Sequence, residues 1–326
     1  MARRDQALPS LEDWRRLLEE APEASVYHTP EFHRALGQAG LDTQVVSSRC
    51  QGELRGLAVV LLDRLFPLPV LGRKAFAPAG LLALDDQARE DLQRQLDKAL
   101  KGRCLYFEQY VEGRAQDSFF ADLGLRTDRH RNFLVDLDRP WEELEASFSR
   151  GIRRNIRHAE EWGFTWRLAH GSQELHRVHD LLLETSRRVA APPLPWALLR
   201  AVNHTLVPAG MCRIYVAEAP GGDIVNTRIE LVHGQRAIDW FTGTDMAWVD
   251  SQVGSWLVGR ILQDLHSRGV RVLDFGGAGR VGESYGPAEF KRRFGGREVD
   301  ISRHLRIYHP RLTRLARHGW RLLRGA

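Results

Sequence analysis

The stretch that decides the fold runs Arg213-Ile-Tyr-Val-Ala-Glu-Ala219, Pro220-Gly-Gly-Asp223, Ile224-Val-Asn-Thr-Arg-Ile-Glu-Leu-Val232 and Ala237-Ile-Asp-Trp-Phe-Thr242. β-Branched and aromatic residues flank a Gly-containing turn, so the pattern predicts a hairpin followed by a further strand. A helix from Val253 to Ser267, ended by Gly269, and a buried-type strand Val270-Arg-Val-Leu-Asp-Phe275 complete the unit.

The same order occurs about 165 residues earlier, far beyond the period of a solenoid repeat, and so predicts a duplicated α/β domain. After a helix around Leu11 to Glu20, strand, turn (Gln51-Gly52-Glu53) and strand fill Gln44 to Leu62. A helix from Asp86 to Leu100 and the strand Cys104-Leu-Tyr-Phe107 follow. Pro140, between the strand Phe133 to Leu137 and a helix beginning at Trp141, sets the join near Asp138-Arg139-Pro140. The expected domains are 1–139, 140–301 and a C-terminal segment, 302–326.

Of 326 residues 43% are hydrophobic, which is ample for two cores, and 27% are charged. Three cysteines (Cys50, Cys104, Cys212) show no C-x-x-C or Cys/His ligand spacing, so reduced thiols in a cytosolic compartment are expected and a zinc ribbon is excluded. The longest apolar runs, Leu57 to Leu62 and Leu65 to Leu71, fall far short of a membrane span. Met1-Ala-Arg-Arg-Asp5 leads into polar sequence, so no secretory signal is expected.

The net charge of +5 is unevenly spread. Only four cationic residues are lysines (Lys74, Lys98, Lys101, Lys291), and the segment from Ser302 onward holds seven arginines and no acid. With Leu305, Tyr308, Leu312, Leu315, Leu322 and Leu323 at mostly helical spacing, that segment reads as a basic amphipathic helix. Such a helix suits anionic lipid or a nucleic-acid backbone. The alternative is an apolar stripe packed on the body of the protein with the arginines in water.

Three segments are candidates for chemistry. Arg150, Arg153, Arg154 and Arg157 recur at three and four residues in a helix closed by Gly163, where one face can grip phosphates or carboxylates; the alternative is a solvated face paired with Glu160 and Glu161. Asp274-Phe-Gly-Gly-Ala-Gly-Arg-Val-Gly282 reads as a strand opening into a glycine loop. Gly277, Gly279 and Gly282 match G-x-G-x-x-G with Asp300 about 20 residues on, but Gly286-Pro287 interrupts the helix a dinucleotide site needs. A loop where backbone approaches a ligand fits better.

The third segment is Gly286-Pro-Ala-Glu-Phe-Lys-Arg-Arg-Phe-Gly-Gly296. It predicts a short helix with Phe290 and Phe294 on one face and Lys291 beside them. A lysine in an arginine-using chain suggests a site for a compact ammonium; the alternative is an ordinary snorkelling side chain. His176 with His179, and His28 with His33, lack clustered carboxylate or cysteine partners, so structural histidines and no metal site are expected. No G-x-S-x-G elbow or Walker loop is present.

Together these residues resemble the FemAB/FemX family of peptidoglycan aminoacyltransferases, a branch of the GNAT superfamily with two tandem GNAT-like domains. The resemblance covers Tyr27-His-Thr-Pro-Glu-Phe32, the Arg-rich helix to Gly163, Tyr215-Val-Ala-Glu218, Asp274-Phe-Gly-Gly277 and, most specifically, Phe290-Lys-Arg-Arg-Phe-Gly-Gly296. It implies an α/β (α+β) fold in which each domain is a mixed, mainly antiparallel sheet flanked by helices.

The resemblance also implies transfer of an amino acid from aminoacyl-tRNA, the co-substrate, to the peptide amine of a UDP-linked or lipid-linked peptidoglycan pentapeptide. No bound cofactor or metal is expected. The setting would be the cytoplasm, with peripheral contact at the anionic inner face of the plasma membrane. Lys291 matches the family's active-site lysine. Attack of an amine on an ester needs orientation, loss of a proton and donors for the oxyanion. Accordingly, Lys291 would stabilise negative charge and Asp239 or Asp274 would orient or deprotonate the amine. Trp240 and Phe241 would line the acceptor groove, and Arg228 and Arg153 would hold diphosphate. Gly276, Gly277, Gly279 and Phe290 complete the expected substrate contacts. Relatives of the same architecture use acyl-CoA, which would place pyrophosphate at residues 276–282. A non-catalytic RNA- or membrane-binding module is the contrasting class.

Overall fold

The computed structural model describes residues 8–64, 72–283 and 286–314; the apolar run Leu65 to Leu71 and the C-terminal segment from 315 lie outside the described residues. The chain divides into two compact units, 1–130 with 300–326, and 131–299. The sequence reading set its joins after residues 139 and 301; the units divide at 130/131 and 299/300.

In the first unit come α1 (Leu11–Glu20), α2 (Pro30–Gln38), β1 (Asp42–Cys50), β2 (Glu53–Arg64), β3 (Arg73–Ala77), the short β4 (Leu82–Ala83), α3 (Asp86–Leu100), β5 (Tyr106–Glu112) and α4 (Asp117–Asp122). β1 and β2 form a tight antiparallel hairpin. Its two-residue turn, Gln51-Gly52, has positive φ at both positions (52° and 89°), the conformation whose twist matches the flanking strands. Asp85 caps α3 by accepting from the Ala88 amide at 2.7 Å. Every fourth residue of α3, namely Ala88, Leu92, Leu96 and Leu100, is buried in a core with Ala58, Val60 and Leu62 of β2. β3 and β5 pair in parallel on either side of the α3 crossover.

β6 (Arg126–Asp136) crosses into the second unit, which holds α5 (Trp141–Ser147), α6 (Arg150–Glu160), β7 (Thr165–Leu168), α7 (Gly171–Arg188), α8 (Trp196–Thr205), β8 (Cys212–Glu218), β9 (Ile224–His233), β10 (Arg236–Thr244), α9 (Val253–Ser267), β11 (Val272–Arg280) and α10 (Gly286–Arg292). Its strands lie in the order β6-β11-β10-β9-β8-β7. β8 to β10 are antiparallel neighbours, and β10 and β11 are parallel across α9. The predicted hairpin, helix and strand are thus present in both units, with β3 and β10 as the matching strands before each crossover. α9 is buried along most of its length, through Val253, Trp256, Leu257, Ile261, Leu262 and Leu265. α7 packs on β10 so closely that Gly243 is the only side chain size accommodated: a Cβ there would meet the Leu181 carbonyl carbon at 2.7 Å and the Leu182 nitrogen at 2.8 Å.

β12 (Arg297–Ile307) returns the chain to the first unit, where Ile301 to Ile307 pair antiparallel with β5. This corrects the C-terminal reading: residues 302–307 are strand, and described helix is confined to 310–314. Polar residues in buried strand positions, Ser302 and His304, masked the alternation. Arg303 is taken up by Glu108 and by Asp128 at 3.2 Å, and Arg306 by Asp97 at 2.9 Å, so these two arginines balance internal acids instead of presenting free charge. The arginines at 317, 321 and 324 lie outside the described residues.

Gly243→Ala forces backbone movement of α7 against β10, and overpacking of this kind costs about 1–3 kcal/mol. The expected result is a lower denaturation midpoint at unchanged m-value in urea; an unchanged midpoint would show that the helix yields freely.

Candidate active site

β9 is buried on both faces, yet alternate residues on one of them, Asn226, Arg228 and Glu230, are polar. Burying such groups is costly unless they are paired. Asp239 on β10 lies directly across from Glu230, and a register shift after Asp239 leaves Trp240 as the extra residue of a bulge. Arg228 donates through Nη1 to Asp239 Oδ2 in an ion pair whose side chains are under 10% exposed. Glu230 is 1% exposed. Burial, then the neighbouring Asp239 carboxylate, push its pKa well above the ordinary range, opposed by Arg228. Glu230 Oε2, Asp239 Oδ1 and Arg228 Nε are buried with no hydrogen-bond partner among the described residues.

β11 and α10 complete the cluster. Asp274 accepts from Asn132 Nδ2, from the Gly276 amide at 2.8 Å and from Arg236 Nη2 at 2.6 Å, so its carboxylate is fully engaged as a brace. Gly276 has φ +70°, a conformation that favours glycine. Lys291 Nζ donates to the Gly276 carbonyl at 2.9 Å and the Gly277 carbonyl at 2.7 Å. An ammonium has three donors, so one remains for a further acceptor. Burial lowers the Lys291 pKa to about 8, with Asp239 and Asp274 pulling it up and Arg228 pushing it down.

The Phe-Lys-Arg-Arg-Phe-Gly-Gly segment has a physical reason for each part. Phe290 lies beneath the Arg228 guanidinium (5.8 Å to the ring centroid) and meets Phe294 edge-on at 5.0 Å. Phe294 is fully buried. Gly295 has φ +75°, and a Cβ on Gly296 would stand 2.9 Å from the Lys291 carbonyl oxygen. The turn therefore closes tightly enough to hold Lys291 in place only with glycines.

The structure brings together Lys291, Asp239, Asp274, Arg228, Phe290, Gly276 and Gly277. Trp240 and Phe241, half-buried and edge-on at 4.8 Å, follow Asp239 on β10. Arg153 stands apart from this cluster in its contacts, donating to the Ala146 carbonyl at 2.8 Å. The glycine run corrects the loop reading: β11 continues to Arg280, with Gly279 (φ +83°) inside it, and no helix opens from the glycines. Asp300, the acid of the literal dinucleotide pattern, is paired with Arg114 at 2.6 Å. His176 stacks on Trp196 at 4.1 Å, and no group of three or more metal-ligating side chains occurs among the described residues.

Sequence reasoning missed Glu230, Arg236 and Asn132. Glu230 was the accessible one: a charge two residues from Arg228 within an apolar strand has to be paired or neutral. A cavity of 480 Å³ lined by Leu137, Arg139, His266 and Arg271, among others, contains none of the expected site residues.

Past their three paired residues, Arg236 to Ile238 with Val272 to Asp274, β10 and β11 both continue. Asp239 and Gly276 thus lie just beyond the last paired residues.

Residues 146–292, from the end of α5 through Lys291, match the acetyltransferase (GNAT) domain family. No curated protein sequence matches the chain. Among solved structures, FemX is similar over 94% of this chain and 98% of its own, with a TM-score of 0.73 at 13% identity. A tandem GNAT protein from the clavulanic acid biosynthesis pathway covers 91% and 94% at TM-score 0.60 and 14% identity. L-PGS from Bacillus licheniformis covers 90% and 91% at TM-score 0.57 and 16% identity. Residues 146–292 thus match a GNAT domain, and the chain has an α/β fold similar to that of FemX.

The lowered pKa of Lys291 makes a linkage prediction. The unfolded chain holds this proton up to pH 10.5 and the native protein only to about 8, so between these values the unfolded state binds more protons and stability rises with pH. The stability of the wild type relative to Lys291→Met should therefore be flat below pH about 8, climb toward 10.5 and level off. Paired denaturation curves across that range measure it, and a flat difference throughout would rule out a desolvated ammonium.

Proposed function

We propose that the protein is an aminoacyltransferase that moves an amino acid from aminoacyl-tRNA to the side-chain amine of a peptidoglycan-precursor peptide in the cytoplasm. The observation that carries this reading is the Lys291 ammonium, fixed on two glycine carbonyls above a buried carboxyl pair, within a FemX-like fold. Its remaining N–H is preorganised for an oxyanion, the contribution that most accelerates acyl transfer.

The acceptor enters as an ammonium and loses one proton to become a nucleophile. Its nitrogen bonds to the ester carbon as the bond to the ribose oxygen breaks, and that oxygen leaves with the second amine proton. Asp239, paired with Arg228, takes the first proton, and Glu230, whose burial favours its uncharged form, faces it across the strand pair. Asp274 acts through Gly276, whose amide it holds. Trp240 and Phe241 flank the acceptor, and Arg228 is reserved for Asp239 in place of a diphosphate.

The match of residues 146–292 to the acetyltransferase (GNAT) domain family favours a second reading, an acyl-CoA-dependent N-acyltransferase.

Thermal shifts at fixed salt with a UDP-linked pentapeptide and with acetyl-CoA and longer acyl-CoAs distinguish the two: stabilisation by the pentapeptide alone supports the first, by thioesters alone the second. In the transfer assay that follows, Lys291→Ala should lower kcat about 10²-fold, the usual loss of an oxyanion donor. The wild-type rate should fall as pH rises through about 8, where Lys291 loses its charge, and Lys291→Arg should abolish that fall. A wild-type rate in Lys291→Ala would overturn the assignment.

A further inference from the structure

Among the described residues seven large hydrophobic side chains are exposed, and three of them gather at one place. Trp162, 45% exposed, follows the C-terminus of α6 and meets Trp248 edge-on at 5.8 Å. Trp248 sits in a 3-10 helix, Met246–Ser251, whose Met246 and Val249 are 40% and 43% exposed. The neighbouring face of α6 is cationic. Ile152 and Ala159 bury one side of that helix, while Arg150, Arg154 and Arg157 are exposed on the other and make no ion pair among the described residues. Of the two acids expected to neutralise them, Glu160 pairs with Arg260 at 2.7 Å, and Glu161 lies 3.5 Å from His158.

We propose that the exposed arginine face of α6, with Trp162, Met246 and Val249, is a docking surface for an anionic lipid bilayer. Tryptophan beside aliphatic side chains matches the headgroup boundary, where an indole has both apolar and polar surroundings, and unpaired arginines complement acidic headgroups. Exposed methionine and valine have no use against a phosphodiester backbone, which is why the surface suits a bilayer better than RNA. The patch also has a fixed relation to Lys291. The Ser149 amide at the start of α6 donates to the Arg293 carbonyl at 2.8 Å, two residues beyond Lys291. The eleven residues of α6 extend about 16 Å from that point to Trp162, a span that about five residues of extended peptide cover. Resting on the proposed function, this geometry selects the lipid-linked over the nucleotide-linked acceptor; the docking itself does not depend on that function.

Flotation of the full chain with phosphatidylcholine vesicles, with and without 30% phosphatidylglycerol, tests the proposal in the absence of donor and acceptor. Binding is expected only to the anionic vesicles, with a blue shift of tryptophan emission. Arg154→Glu/Arg157→Glu should weaken it at least about tenfold and Trp162→Ser several-fold, with melting temperatures unchanged. Arg187→Glu/Arg188→Glu, at the end of α7, should bind as the wild type. Equal binding by the α6 variants and the wild type, or loss of binding to a single-stranded RNA with vesicle binding intact, would overturn it. Because no transfer is measured, failure here leaves the aminoacyltransferase reading standing, and failure of transfer leaves this surface standing.

Discussion

The second unit is organised around an expensive object, a cluster of three cations and three carboxyl groups taken largely out of water. Isolated buried charges are prohibitive, and they persist only where the geometry supplies partners. Each member accordingly has an assigned restraint. Arg228 is balanced by Asp239 and supported by Phe290; Asp274 is braced by Arg236, Asn132 and the Gly276 amide; Lys291 is fixed by two backbone carbonyls; and burial pushes the Glu230 pKa up, away from the charged form. The bulge at Trp240, the positive φ of Gly276 and the tight turn at Gly295-Gly296 all serve to bring those restraints within reach. Arg228 Nε, Glu230 Oε2, Asp239 Oδ1 and the neighbouring Asn226 Oδ1 still have no partner among the described residues, as do buried atoms elsewhere, at Gln109 and Asp117 for example.

Much of the fold was legible because its elements carry strong local signals. α1, α3 and α9 fall on the spans their periodicity and end signals predict, and the β1-β2 turn is visible in Gln51-Gly52. β3 was not, since five residues, Arg73–Ala77, with basic side chains at their start carry too little alternation to separate a strand from a loop. The strand at 302–307 was misread for the opposite reason: leucine and arginine spacing fits a helix, while pairing with β5 outweighs that local preference.

At the site, Lys291 and its flanking aromatics and glycines could be singled out from sequence because a short helix ended by a glycine pair has few readings. The partners of Lys291 could not, as they are carbonyl oxygens, which every residue possesses; only the backbone conformation at Gly276 aims them. Arg153 illustrates the converse. Its spacing placed it among phosphate ligands, yet a long side chain on a helix can reach the preceding turn, and Arg153 takes the Ala146 carbonyl.

The two copies of the hairpin, helix and strand unit differ most where they correspond most closely. On β9, the face bearing the chemistry holds Asn226, Arg228 and Glu230; on β2, the face against α3 holds Gly56, Ala58, Val60 and Leu62. The β2 strand has a purely apolar face, where exchange among aliphatic residues of similar volume is tolerated. The β9 face lacks that freedom, because Arg228 is paired with Asp239 and Glu230 lies across from the same carboxylate, so a change at one calls for a change at another. Tolerance of substitution is therefore asymmetric: the β2 face accepts single aliphatic exchanges, whereas the β9 face calls for coupled, compensated replacements.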